Sequence, residues 1–343
     1  MNASSSSAPN KRKRIDDAPE PPVPVASTTR SDIWFEDGNV VIQAETTQYK
    51  IYRGALAASS PIFRDMFGMP QPPSQGEVTV EGCPVVHLSD TAADVTIVFQ
   101  ALFLRGHVVA GGPLPIETVA AFLRLGKKYE IELLHAEALK RLRYEYPTTL
   151  DDLPMPTGHK FNRRTQNTMI FTEVDGDGPH VAVAHLAREQ RLHSTLPLAL
   201  YWCCIDYSAE GLVEMVTRDA ATTVLSKSDL IKCLTVQSSL SRIQYITTLA
   251  WIHAPQSKYL DCKSQNACAA ARKRILDNLY LPYVDFVALD SWSDFESAWN
   301  VDDEMCISCL AIAEGMHYDG RVKFWEGLPA MFGLPGWDEL RKE

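Results

Sequence analysis

Apolar and polar residues recur along the chain at two spacings, which predict short strands followed by short helices. Alternating apolar positions within 40–52 predict two strands joined by a turn. Residues 53–59 and 61–67 are predicted to form two helices, because Pro61 disfavours helical geometry at Ser60 and suits the first position of a new helix. Ser60 is the expected N-cap of the second helix.

The same pattern continues to about residue 147. It predicts strands near 78–80 and 85–88, a helix from Asp90 or Thr91 to about Leu104, a helix from Pro115 that stops at Gly126, and a helix along the stripe from Ile131 to Leu142. We therefore expect residues 30–147 to form an α+β unit in which helical hairpins cover a short sheet.

The rest of the chain divides by composition. Residues 1–29 lack large apolar side chains and are predicted to be a disordered tail, and residues 148–180 to be an irregular linker. Residues 181–343 are predicted to be a mainly α-helical domain, whose final aromatic stretch from Phe324 to Trp337 is too broken for long helices and folds back onto the others. The predicted helices span 181–191, 197–207, 228–236, 238–252, 264–280 and 303–316, with an aromatic core stripe at Trp292, Phe295 and Trp299.

Charge and hydropathy restrict the class of protein. The formal net charge is −10, which argues against a general nucleic-acid surface. No apolar run has the length of a membrane span, and the N-terminus lacks the apolar core of a signal peptide. We expect an intracellular protein of the nucleus or cytoplasm. The basic run Lys11, Arg12, Lys13 and Arg14 is a candidate nuclear localisation signal, and the alternative is a solvated charge cluster.

Sequence signatures of catalysis are missing. The chain contains no phosphate-binding glycine loop with Lys and Ser or Thr, no His-Glu-x-x-His and no Gly-x-Ser-x-Gly. We therefore predict that the protein is not an enzyme.

The eight cysteines are predicted to be reduced thiols that are mostly buried, Cys203 and Cys204 on one buried helix among them. We expect no cofactor. The one alternative is a structural zinc ion bound by Cys262, Cys268, Cys306 and Cys309, with His317 as another possible fourth ligand. The first pair is spaced loosely for zinc, and cysteines three apart on a helix can simply be core residues.

Three stretches of the first unit resemble the BTB (POZ) family. They are Ser-Asp-Ile-Trp-Phe at 31–35, the run from Tyr52 to Phe67 that contains Leu-Ala-Ala-Ser-Ser-Pro-Ile-Phe-Arg-Asp-Met-Phe, and Leu-Gly-Lys-Lys-Tyr-Glu-Ile-Glu-Leu-Leu at 125–134. Tyr52 stands where the family usually has His, and Arg53 where it has Lys. The second half, with the end that follows Cys306 and Cys309, is similar to fungal BTB proteins that carry a helical C-terminal half.

The resemblance implies a non-enzymatic protein–protein interaction module that forms homodimers through its BTB domain. In that family, the positions of Asp32 and Arg53 line a charged pocket at the dimer surface. The residues expected to form the dimer or interaction surface are Asp32, Tyr52, Arg53, Leu56, Phe63, Met66 and Phe67.

Two other functions remain open at this stage. The first is a substrate-recruiting adaptor of a cullin ubiquitin ligase, although Gln71 stands where such adaptors often have Glu. The second is a nuclear transcription or chromatin regulator that acts through partners. In either case the partners are proteins, and we expect neither direct nucleic-acid contact nor membrane binding.

Overall fold

The computed structural model describes residue 1 and residues 27–69, 79–106, 112–153, 169–171, 179–217 and 225–343. Most of the expected disordered tail, its basic run and Gln71 lie outside these residues, as does most of the expected linker; Thr29, the last residue of the expected tail, belongs to a strand. The described residues form an α+β protein, with one five-stranded sheet near the N-terminus and helices through the rest.

The five-stranded sheet has the spatial order β1-β3-β2-β5-β4. Its strands are β1 (Thr29–Trp34), β2 (Val40–Ala44), β3 (Thr47–Ile51), β4 (Thr79–Val80) and β5 (Cys83–Leu88). Strands β2 and β3 form the antiparallel pair that the alternating pattern predicted, with Ile42 opposite Tyr49. β1 joins β3 and β5 joins β2 in parallel, so the sheet brings together segments that are distant in sequence.

Five helices follow or cover this sheet. They are α1 (Arg53–Ser59), α2 (Pro61–Gly68), α3 (Ala92–Phe103), α4 (Ile116–Lys128) and α5 (Glu132–Glu145). The hydroxyl of Thr91 caps α3 by accepting from Asp94 N–H at 3.2 Å. The predicted helices α1 to α3 are confirmed to within one or two residues.

Gly126 does not end α4, contrary to the sequence prediction. The helix continues to Lys128, and Gly126 faces α5. A Cβ atom there would lie 3.0 Å from the backbone nitrogen and Cβ of His135. The glycine therefore serves the close approach of two helices and not a helix stop.

The second half is mainly helical, as predicted. Its helices are α6 (His180–Gln190), α7 (Leu196–Asp206), α8 (Ala209–Thr217), α9 (Lys227–Ile246), α10 (Gln265–Tyr280), α11 (Trp292–Trp299), α12 (Val301–Glu304), α13 (Ile307–Met331) and α14 (Trp337–Leu340), with short 3-10 turns at His193–Thr195 and Gln256–Lys258. The predicted helices at 228–236 and 238–252 form one continuous helix, α9, which ends at Ile246, so residues 247–252 are turns and not helix. The stripe of Trp292, Phe295 and Trp299 packs within α11, and Phe295 is fully buried.

The prediction of a broken C-terminal stretch is wrong, because α13 runs for 25 residues through Phe324 and Trp325. Pro329 lies in its last turn, where the missing N–H leaves the carbonyl of Trp325 without its usual helical donor. The indole N–H of Trp337 donates to that carbonyl oxygen at 2.7 Å. The rings of Trp325 and Trp337 also stack, with centroids 4.8 Å apart. A side chain thus replaces the helical hydrogen bond that proline removes.

The buried apolar residues form two clusters whose boundary differs from the predicted division at 147 and 181. The larger cluster runs from Ile33 in the sheet to Leu340 at the C-terminus. The smaller lies between Leu249 and Ala313, and α13 contributes to both. The sheet unit and much of the helical half therefore share one core.

Polar contacts reinforce this junction. A short parallel ladder joins β6 (Leu114–Pro115) to β7 (Ile170–Phe171), which lies within the expected linker. The fully buried Arg141 donates to the carbonyl oxygen of Met169 at 3.2 Å and also pairs with Glu137 at 2.8 Å. On α4, Arg124 bridges to Glu189 of α6 at 2.9 Å.

Candidate functional site

The paired helices α1 and α2 are built by local sequence chemistry. Ser60 adopts an extended backbone (φ −145°, ψ 117°) between them, as expected for a residue before proline. Its hydroxyl accepts from Phe63 N–H at 3.1 Å and donates to the carbonyl oxygen of Tyr129. Ser60 thus caps α2 and fastens the helical pair to the end of α4.

Leu56 and Phe63, which were expected at the interaction surface, lie in the core. Both side chains are almost completely buried, and Phe63 stacks on Tyr129 with ring centroids 4.4 Å apart. Met66 and Phe67 are half-buried and pack against the same core. Leu56 and Phe63 hold the helical pair in place and present no surface to a partner.

The exposed side of the pair is formed by small and apolar residues. Gly54, Ala55 and Ala58 of α1 are exposed, and Ile62 of α2 is half-buried. Met69, directly after α2, is 64% exposed. Small residues on a surface allow another chain to approach closely. The unbranched thioether side chain of Met69 can adapt to the shape of that chain.

Asp32 and Arg53, whose positions line a charged pocket in the family that the sequence resembles, do not pair with each other. Asp32 and Arg53 are both exposed, and no ion pair joins these two described residues. The guanidinium of Arg53 instead donates to the carbonyl oxygen of Phe67 and lies 5.3 Å from the centre of its ring. Both groups therefore remain accessible.

Tyr52 bonds to another carboxylate of the same unit. Its hydroxyl donates to Asp37 at 2.6 Å. This hydrogen bond, more than any other cause, raises the pKa of the Tyr52 phenol. At neutral pH the side chain is therefore a neutral donor that is already engaged.

Lys50 is a buried lysine within the sheet unit whose burial the sequence pattern did not predict. Lys50 lies inside β3 and is 6% exposed. Its ammonium donates to the carbonyl oxygen of Glu36 at 2.8 Å and to Glu81 at 3.0 Å, and Arg30 meets the same carboxylate at 2.7 Å. The hydrogen bond from Lys50 is the main reason that the pKa of Glu81 is lowered. In the sequence, the position of Lys50 between the apolar residues Tyr49 and Ile51 of one strand was the only indication that it is buried.

The second candidate site is the cysteine cluster, defined as Cys262, Cys268, Cys306 and Cys309. Cys262 lies in the turn before α10, and Cys268 is the fourth residue of that helix. Cys306 is the N-cap of α13 and Cys309 its third helical residue. Two helix N-termini thus meet, each bringing a pair of thiols.

The four sulfur atoms lie close together. All are within 4.8 Å of one another, and no other group of three or more potential metal ligands occurs within the described ranges. The Sγ atoms of Cys262 and Cys306 are 3.9 Å apart, and the backbone N–H of Cys306 donates to Cys268 Sγ at 3.3 Å. All four are free thiols, with Cys268 and Cys309 buried and the other two partly buried.

The local environment shifts the pKa values of three of these thiols in different directions. Hydrogen bonds from the backbone N–H groups of Cys309 and Lys263 lower the pKa of Cys306 to about 6, against a smaller opposing effect of burial. Burial is the main cause that raises the pKa values of Cys268 and Cys309. The lowered pKa of Cys306 favours its thiolate form at neutral pH.

His317 does not belong to the cysteine cluster, although it was considered as a fourth ligand. It is fully buried, and its Nε2 lies 2.9 Å from the carbonyl oxygen of Asp290. Its ring packs against Trp292 and Phe295. Burial lowers the pKa of this imidazole to about 4, so it is neutral in the core.

Three other cysteines have a packing role. Cys203 and Cys204 of α7 are buried against Cys233 of α9, as expected for a buried helix. The thiol of Cys204 donates to the carbonyl oxygen of Cys233 at 3.5 Å. Burial is the main cause that raises the pKa of Cys203, which keeps that thiol protonated and unreactive.

The chain matches no protein-family model, no curated protein and no solved structure. Among the residues that the structure describes, no helix is both long enough and apolar enough to cross a membrane. The candidate nuclear localisation signal and Gln71 lie outside those residues, so the nuclear and cullin hypotheses stay predictions.

Proposed function

We propose that this protein is a BTB-type interaction module that forms a homodimer through helices α1 and α2. The proposal is supported by the α+β unit in which a short helical pair lies beside a mixed five-stranded sheet. It is also supported by the sequence resemblance of residues 31–35, 52–67 and 125–134.

The observation that carries the proposal is the exposed side of α1 and α2. Gly54, Ala55, Ala58 and Met69 are exposed there, although the same helices anchor Leu56 in the core. Solvation gives no reason to place so many small and apolar residues on an exposed helical pair, whereas a subunit interface does.

A second copy of this chain is the occupant that we propose for this surface. α2 carries one exposed residue of each charge, Arg64 and Asp65, whose side chains lie 3.7 Å apart. A surface with both signs of charge can meet its own twofold image without net repulsion. The charges of Asp32 and Arg53, which are not paired with each other, are available to the same contact.

The test is the mass of the full chain in solution, measured by light scattering and sedimentation at about 10 µM. We expect twice the chain mass. Ala58→Glu combined with Met69→Glu should weaken self-association at least about tenfold, because each places an unpaired charge in the interface.

Ile231→Glu is the matched control, because Ile231 on α9 has the same 64% exposure as Met69. It should leave self-association unchanged. A folded wild-type chain that is monomeric, or a dimer that the double substitution does not weaken, would refute the proposal.

A further inference from the structure

We propose that the cysteine cluster binds one zinc ion through four thiolates. This site is independent of the proposed dimer surface, because it lies in the second core, between the turn before α10 and the start of α13. The ligands are Cys262, Cys268, Cys306 and Cys309, and the role is structural.

The distances between the sulfur atoms fit such an ion. Sulfurs bound at about 2.3 Å in a tetrahedron lie about 3.8 Å from one another. Cys262 Sγ and Cys306 Sγ are 3.9 Å apart, and no pair in the cluster exceeds 4.8 Å. Contraction of the widest pairs by about 1 Å, which side-chain rotation can supply, completes the tetrahedron.

The same distances argue against a disulfide and against an iron–sulfur cubane. A disulfide requires sulfurs about 2.05 Å apart, and all four thiols are free. An iron–sulfur cubane places iron and sulfide between the cysteine sulfurs, which would then be farther apart than 4.8 Å. Simple core packing gives no reason to gather four thiols from two distant segments around one point.

The surrounding backbone suits negative sulfur ligands. Cys306 and Cys309 occupy the first turn of α13, and Cys268 the first turn of α10, where unpaired N–H groups and the helix dipole favour anions. The N–H of Cys306 already donates to Cys268 Sγ. Such N–H to sulfur contacts are the outer-shell interactions that orient thiolates around a metal.

Four protein ligands close the coordination shell, so the site has no open position for water or substrate. Its effect is to tie the turn at Cys262 to the start of α13. Soft thiolate ligands in a tetrahedron select zinc over magnesium or calcium, which prefer oxygen.

The experiment uses the full chain, purified without chelators or metal-affinity resin, loaded with zinc sulfate under reducing conditions and desalted. Elemental analysis should find about one zinc per chain. Cys262→Ser and Cys309→Ser should each reduce this ratio about tenfold or more. Cys83→Ser, which changes a buried free thiol in the sheet, is the control and should retain the ion.

If the serine variants fail to fold, cobalt(II) substitution of the wild-type chain tests whether the cysteine cluster binds a metal ion. A tetrahedral tetrathiolate site gives intense visible d–d bands and sulfur-to-cobalt charge transfer, which zinc should abolish by competition. A folded, reduced wild-type chain without zinc and without these bands would overturn the proposal. Zinc that stays bound in both folded serine variants would overturn it as well.

Discussion

Replacing Trp337 by phenylalanine removes the indole N–H that reaches the carbonyl oxygen of Trp325 at 2.7 Å in a buried environment. Because Pro329 has no N–H, the helix cannot supply the usual donor four residues further on. A buried carbonyl left without a partner costs roughly 1–3 kcal/mol. With the reduced ring stacking, we expect Trp337→Phe to lower the free energy of unfolding by about 2–4 kcal/mol.

The stacked partner supplies a matched control. Trp325 loses a similar ring area when changed to phenylalanine, but its own indole N–H is buried and has no hydrogen-bond partner among the described residues. Trp325→Phe therefore removes packing contacts without breaking a hydrogen bond. It should be less destabilising than Trp337→Phe by about 1–3 kcal/mol.

The decisive comparison adds Pro329→Ala, which restores a backbone N–H opposite the carbonyl of Trp325. In that background Trp337→Phe should cost about 1–2 kcal/mol less than in the wild type. Urea unfolding followed by circular dichroism gives the free energy of unfolding of the wild type, Trp337→Phe, Pro329→Ala and the double variant, provided that the m-value stays constant. Costs that are additive within about 0.5 kcal/mol would show that the carbonyl does not depend on this donor.

Further predictions concern other buried contacts. Ser60→Ala should lower the free energy of unfolding by about 1–3 kcal/mol, measured in urea, because it removes the cap of α2. Gly320→Ala should give little folded protein, since its Cβ would lie 2.2 Å from a carbonyl oxygen of Thr247, whereas Gly315→Ala in the same helix meets nothing within 4 Å and should be tolerated in expression and thermal melts. Burial alone would raise the pKa of Asp229, but the hydrogen bonds and charge of Arg188, at 2.7 Å, hold it below its usual value. This pair therefore stabilises the fold above the unfolded carboxyl pKa of about 4 and loses its effect as pH falls through the lower folded pKa, so Asp229→Asn should flatten the acid side of the stability profile.

The elements that local chemistry determines were the ones predicted from sequence. The bend at Ser60 and the bounds of α1 and α2 follow from proline geometry and a hydroxyl cap, which act within a few residues. Gly126 was misread because its reason is a contact with His135, nine residues away and on another helix. The effect of Pro329 was mispredicted for the same reason, because the helical hydrogen bond that proline removes is replaced by one from Trp337.

The candidate sites were predictable in composition but not in arrangement. The spacing of Cys306 and Cys309 was visible in the sequence, but their meeting with Cys262 depends on how α10 and α13 pack. Likewise, the resemblance placed Leu56 at the dimer surface, whereas packing buries its side chain in the core. Tertiary packing, and not local propensity, decides both questions.

Helix α13 is a stiff rod of 25 residues, about 37 Å long, that joins the two cores. Cys309 near its start lies in the smaller core, and Phe324 near its end lies in the larger one. At Gly320 its backbone presses directly on that of Thr247, so no side chain separates them. Because one continuous helix contributes side chains to both cores, the two cores cannot separate without bending this helix or unpacking one of its ends.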